Sequence, residues 1–151
     1  MQYRKLTHGG EQIGVLGLGS SAIGQAGDKE IEATMAMALE NGVNYFDMAS
    51  GDAAPFAPYG RAVAAAGMRD KVYFQIHFGA EYTTGKYGWT LDLDAIKRSV
   101  DWQLTRLKTD YIDFGFIHCI DEESDYAKAR AAGTTTTSWS SSARAWCGTS
   151  A

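Results

Sequence analysis

Long apolar runs are missing from this sequence. Nowhere do the roughly 20 consecutive apolar residues required for a membrane span occur. The opening stretch MQYRKLTHGGEQ has no apolar segment of the secretory kind, so neither insertion nor export is expected and the cytoplasm is the default location. Cysteine is scarce: Cys119 and Cys147 lack the C-x-x-C spacing of zinc or redox sites and are too few for a disulfide framework. Cys119 is therefore expected to be a small buried apolar residue. Basic excess is also lacking; 14 Lys and Arg against 18 Asp and Glu leave a formal charge of -4, which gives no footing for nucleic acid. What remains is a mildly acidic chain of 151 residues, 45% apolar, long enough to bury one sizeable core.

Short apolar strands alternate with helical segments, the signature of an α/β fold with a parallel sheet. Leu6 to Ile13, interrupted by His8-Gly9-Gly10, predicts an N-terminal hairpin, and Val15 to Leu18 the first buried strand. Asp28 is placed to cap a helix whose inward stripe is Ile31, Met35 and Leu39, with Gly42 as its stop. Val43 to Asp47 predicts a second strand, Arg61 to Ala66 a short helix, and Val72 to His77 a third strand. The Gly-, Thr- and Tyr-rich segment from Gly79 to Trp89 follows that strand's C-terminal end, where barrel enzymes carry their binding loops. Leu93, Ile96, Val100, Leu104 and Leu107 mark the clearest helix, and Tyr111 to His118, broken only by Asp113, reads as a strand buried on both faces. The units amount to about half of a (β/α)8 barrel of ~250 residues, so the expected fold is a partial TIM barrel with an N-terminal hairpin.

Residues 1–132 carry this pattern, and 133–151 form an irregular tail with five Thr, five Ser and two Trp but no Leu, Ile, Val, Asp or Glu. A solvated linker is one reading, although two tryptophans are odd in it. Translation out of frame is the sharper one. Codons can be chosen for Thr135 to Ala151 that, read from one base earlier, spell Tyr-Asp-Tyr-Leu-Leu-Glu-Leu-Lys-Arg-Glu-Gly-Val-Val-Arg-His-Ile-Gly-Leu. That is an amphipathic helix, a turn glycine and a buried strand, the unit a barrel needs next.

Gly17-Leu18-Gly19-Ser20-Ser21-Ala22 fits the GxGxxA form of the dinucleotide fingerprint, with Asp47 near the place of a ribose partner. The fingerprint needs a helix that begins at its glycines, whereas Gly24 and Gly27 intervene here and the helix is predicted near Asp28. A different resemblance covers residues 3 to 125. VLGLGS, ENGVNYFDMAS and KRSVDWQLTRLKTDYIDFGFIH resemble, in order, the first strand, the second strand and the helix, fourth strand and histidine of aldo/keto reductases. YFDMAS, VYFQIHFGAEYTTG and FGFIHCIDEESDY are most similar to the branch with a C-terminal ferredoxin-like iron-sulfur segment, but this chain has no cysteine cluster to hold one.

The resemblance implies an oxidoreductase using NADPH or NADH on a small carbonyl or alcohol. A tyrosine protonates the carbonyl, a lysine paired with an aspartate lowers the tyrosine pKa, and a histidine orients the substrate. Asp47 falls at the aspartate, its bland alternative being a helix cap or loop carboxylate. His118 falls at the histidine, with a satisfied core imidazole as its alternative. Five residues after Asp47, where the family has tyrosine followed by glycine, stand Asp52 and Ala53. The next such pair is Tyr59-Gly60, so Tyr59 is either the replacement acid or a surface aromatic. His77 occupies the lysine position and is either an imidazolium holding Asp47 or the proton donor itself. Gly19, Ser20, Asp47 and Met48 are expected at the nicotinamide end, the rest of the dinucleotide being gripped by the barrel's second half. The chain alone is accordingly expected to be inactive. A non-catalytic nucleotide-binding or regulatory module and an inactive gene fragment are the alternatives. Half a barrel also leaves sheet edges unpaired, so self-association is expected.

Overall fold

A computed structural model describes residues 1–7 and 9–135. An antiparallel hairpin, β1 (Tyr3–Lys5) and β2 (Gln12–Gly14), precedes a parallel sheet of β3 (Leu18–Gly19), β4 (Tyr45–Asp47), β5 (Tyr73–Phe78) and β8 (Phe114–Ile117), in that spatial order. The connections are α1 (Asp28–Glu40), α2 (Phe56–Ala66) and α3 (Leu93–Leu107), and α4 (Glu123–Ala131) follows β8. A small hairpin, β6 (Ala80–Glu81) with β7 (Gly88–Trp89), lies in the segment after β5. This is a partial α/β barrel. None of its helices is long and apolar enough to cross a membrane among the described residues.

Strand alternation divides the sheet into two faces. Phe46, Met48, Phe74, Ile76 and Phe78 turn toward the helices and are buried with Ile31, Met35 and Leu39 of α1 and Ile96, Val100 and Leu107 of α3. Tyr45, Asp47, Gln75, His77, Phe114 and Phe116 alternate with them on the concave face. Half-exposed Phe116 marks that side as uncovered by the described residues.

Several local expectations are corrected. The N-cap of α1 is Gly27, with Asp28 its first residue; the Asp28 carboxylate instead pairs with Arg61 at 2.7 Å, tying α1 to α2. Val15 and Leu16 are exposed rather than in a buried strand, because β3 is an edge strand whose pairing begins only at Leu18. Helix α2 begins five residues earlier than Arg61: Pro55 is its N-cap and Pro58 sits in the first turn, where a missing N–H costs nothing. Cys119 is exposed, not buried, in a left-handed backbone conformation (φ 49°) just past β8.

Polar residues inside the α3 stripe have identifiable partners. Ser99 Oγ donates to the Ala80 carbonyl (2.8 Å) and Gln103 Nε2 to Ser99 Oγ (3.2 Å), anchoring the helix beneath β6. Asp113, the break in the β8 run, accepts from Arg69 Nη2 (2.7 Å) and from the Phe74 amide (2.9 Å). The Arg69 guanidinium stacks 3.7 Å from the centre of the Tyr111 ring. Helix α4 closes at Gly133 (φ 79°), with the Thr134 amide returning to the Ala129 carbonyl. His8, Cys147 and the out-of-frame reading of the tail past Thr135 lie outside the described residues.

Candidate active site

Adjacent parallel strands deliver one polar cluster to their C-terminal ends, the rim where α/β barrels display their chemistry. The register sets Asp47 opposite Gln75 and His77 opposite Phe116, so Asp47 and His77 reach each other diagonally and His118 emerges beside them just after Ile117. His77 Nε2 is 2.8 Å from Asp47 Oδ1, and His77 Nδ1 is 3.2 Å from His118 Nδ1. The other nitrogen of His118, Nε2, lies 3.1 Å from the hydroxyl of Tyr87, in the loop between β6 and β7. With Asp47 ionised and both imidazoles neutral, one placement of protons satisfies these three links, while Gln75 Nε2, 3.0 Å from the same His77 Nε2, is left facing an N–H. Tyr87 O–H donates to His118 Nε2, His118 Nδ1–H donates to His77 Nδ1, and His77 Nε2–H donates to Asp47.

The backbone holds this chain of groups in place. The His118 amide donates to the Phe78 carbonyl (2.8 Å), and Trp89 Nε1–H donates to the His118 carbonyl (3.0 Å). Tyr82 fastens the loop to the end of β4, its hydroxyl accepting from the Ser50 amide (3.1 Å) and donating to the Ser50 carbonyl (3.0 Å). Asp52 forms an antiparallel bridge with Lys86, one residue before Tyr87.

Electrostatics follow from these contacts. Burial pushes the Asp47 carboxyl up, but the hydrogen bond and charge of His77, the Ala49 amide and the charge of His118 together hold it below the usual carboxylate value. Burial, then the neighbouring charge of His77, hold His118 below its ordinary 6.5 against the opposing pull of Asp47 and Asp121. Burial raises the Tyr87 phenol, helped by Cys119. Tyr87 therefore keeps its proton near neutrality.

Of the residues singled out in the sequence, Asp47, His77 and His118 come together, and Gly19 and Ser20 lie beside Asp47. Gly19 is in register with Asp47, and a Cβ built on it would meet nothing within 4 Å. The Ser20 amide donates to the Asp47 carbonyl (2.9 Å), while its buried hydroxyl has no hydrogen-bond partner among the described residues. Met48 faces the helix side and is fully buried. Tyr59 is no surface aromatic: it is 0% exposed, edge-on to Phe46 on the helix side, with its hydroxyl donating to the Gly19 carbonyl (3.3 Å). Burial, then the charge of Asp47, raise its pKa further. Its neighbour Gly60 packs α2 against the backbone of α3. An open cleft of about 920 Å³ runs past Asp52, Lys86, Tyr87, Trp102 and Arg106, so Tyr87 belongs to both the cleft and the hydrogen-bonded chain.

Sequence reasoning missed Tyr87. The loop's composition and its place after a strand end were the available signal, and they did not separate Tyr82, which anchors the loop, from Tyr87, which reaches His118.

Comparison with known proteins agrees with this architecture. Residues 13–134 match the aldo/keto reductase family. The chain is 32% identical over 125 residues to the uncharacterized oxidoreductase YqkF of Bacillus subtilis (strain 168), an alignment covering 78% of this chain and 39% of that protein. With protein tas of Escherichia coli (strain K12) it shares 26% identity over 132 residues, 78% of this chain and 38% of that one. Among solved structures, the holo form of an aldo-keto reductase from Bacillus halodurans superposes with a TM-score of 0.67 at 26% identity, over 89% of this chain and 47% of that one. The chain thus spans less than half the length of these relatives, and by its sequence match and its fold it belongs to the aldo/keto reductase family of oxidoreductases.

Proposed function

We propose that these residues form the proton-handling half of an NAD(P)H-dependent reductase of small aldehydes or ketones, working in reverse on the matching alcohols. The observation that carries the reading is the Asp47–His77–His118 chain at the ends of neighbouring parallel strands, with links of 2.8 and 3.2 Å. His77 takes the place in which the family's pattern has lysine. Its imidazole holds Asp47 in the lysine's stead, at 2.8 Å.

The residues beside Asp47 suit the nicotinamide end of a dinucleotide. Gly19 offers open space, and the unpartnered Ser20 hydroxyl a hydrogen bond. When bound, the reduced cofactor supplies the hydride, while the chain's own groups orient the carbonyl and deliver the proton. Few other contacts to a dinucleotide come from the described residues. Turnover is therefore expected only with saturating cofactor, and the chain is effectively inactive at ordinary cofactor levels. The wording YFDMAS and FGFIHCIDEESDY supports kinship with the iron-sulfur branch, without assigning a cluster to this chain.

The test is the loss of reduced-nicotinamide absorbance with a panel of small aldehydes, at micromolar and at millimolar NADPH and NADH. Turnover confined to the high cofactor range is expected. Saturable cofactor binding without turnover favours the regulatory-module reading, and neither binding nor turnover refutes both.

A further inference from the structure

Resting on the reductase reading, we propose that Tyr87 is the proton donor to the substrate carbonyl, supplied through a relay that runs Tyr87–His118–His77–Asp47. Asp52 occupies the place where the family's pattern has its tyrosine, and its carboxylate is engaged by the Ala54 amide (2.9 Å). Tyr59, the next tyrosine, is sealed in the core with its hydroxyl committed to Gly19. Tyr87 is 40% exposed, lines the cleft and lies 3.1 Å from His118.

The relay's proton count sets the direction in which Tyr87 points. With both imidazoles neutral, every donor points toward Asp47 and the Tyr87 proton is spent on His118. One more proton on the histidine pair turns His118 Nε2 into a donor to the Tyr87 oxygen. That frees the Tyr87 O–H to point at a carbonyl in the cleft. In the reaction, the carbonyl carbon accepts a hydride from the dihydronicotinamide as the C=O π bond breaks. The carbonyl oxygen takes the Tyr87 proton, and the phenolate takes a proton from His118 Nε2. The nicotinamide is oxidised, the carbonyl becomes an alcohol, and the relay returns to its neutral state until solvent recharges it. The groups facing the relay that set its charge are Asp47, Asp121, Cys119 and Tyr87 itself.

The experiment uses the full chain and three variants, Tyr87→Phe, His118→Gln and, as a distant control, Tyr126→Phe on the exposed side of α4. Imidazole ¹⁵N NMR titration requires no activity. Tyr87→Phe is expected to shift the Nε2 resonance and midpoint of His118 and, more weakly, those of His77, whereas Tyr126→Phe moves neither. An unmoved His118 overturns the relay. Kinetics at saturating NADPH form the second arm: Tyr87→Phe is expected to lower kcat about 100-fold or more with little change in KM, the usual scale of general acid catalysis. The wild-type rate should fall with rising pH as His118 gives up its second proton, and the residual Tyr87→Phe rate should not follow that titration. Undiminished turnover by Tyr87→Phe overturns the donor role alone. Absence of turnover in every variant overturns the reductase reading and the donor role with it, leaving the NMR result to judge the relay.

Discussion

Replacing Gly60 with alanine separates a packing role for the Tyr59-Gly60 pair from a chemical one. A Cβ at residue 60 would stand 2.2 Å from the Arg106 carbonyl oxygen and 2.7 Å from the Leu107 backbone. Both contacts are with the backbone of α3, which cannot rotate away as a side chain can, so α2 and α3 must move apart. Overpacking of this kind costs about 1–3 kcal/mol, and the backbone partner places Gly60→Ala near the upper end. Alanine is better than glycine inside a helix by about 1 kcal/mol, which offsets part of the loss. The net expectation is about 2 kcal/mol of destabilisation, or a melting temperature lower by roughly 4–8 °C for a chain of this size. Gly51→Ala, where a Cβ meets nothing within 4 Å, is the control and should change stability by no more than about 0.5 kcal/mol. Thermal and urea unfolding followed by circular dichroism read both. If Gly60→Ala melts within about 1 °C of the wild type, helix contact is not the reason for that glycine and the packing argument fails.

Other consequences can be checked with the same protein. Asp113→Asn removes the carboxylate charge facing Arg69, whose side chain is only 17% exposed and keeps its bonds to Thr109 Oγ1 and to the Val72 and Tyr111 carbonyls, and should cost about 1.5–3 kcal/mol in urea unfolding; a loss under about 0.5 kcal/mol would show that the pair is effectively solvated. The folded-state values of Asp47 and His118 both lie below their ordinary ones. Each group's contribution is therefore complete above its ordinary pKa and is lost as pH falls through the depressed value. Melting temperature should accordingly drop below about pH 6.5, with His118→Gln removing the upper part of that drop and Asp47→Asn the lower part; melts independent of pH from neutral to acid would refute this. Exposed Cys119 should react with a thiol reagent in native buffer in a Cys147→Ser background, and protection until unfolding would contradict its placement. The outer edges of β3 and β8 have no partner strand among the described residues, so light scattering should report concentration-dependent association. A monomer persisting at high concentration would count against that.

The sequence by itself determined the α/β alternation, the α1 stripe of Ile31, Met35 and Leu39, the α3 stripe from Leu93 to Leu107, and the place of Asp47, His77 and His118 at strand ends. These follow from periods of 2 and 3.6 residues, which are properties of neighbouring residues. Tertiary structure decided the rest. Whether Tyr59 or Tyr87 faces the histidines, whether Cys119 is covered, and why Asp113 interrupts an apolar strand each depend on partners some 30 to 44 residues away: Gly19 for Tyr59, His118 for Tyr87, Arg69 for Asp113. A side chain's own neighbours in sequence fix which way it points along its element. What it meets there is fixed only when β4, β5 and β8 pair in register and bring their ends together.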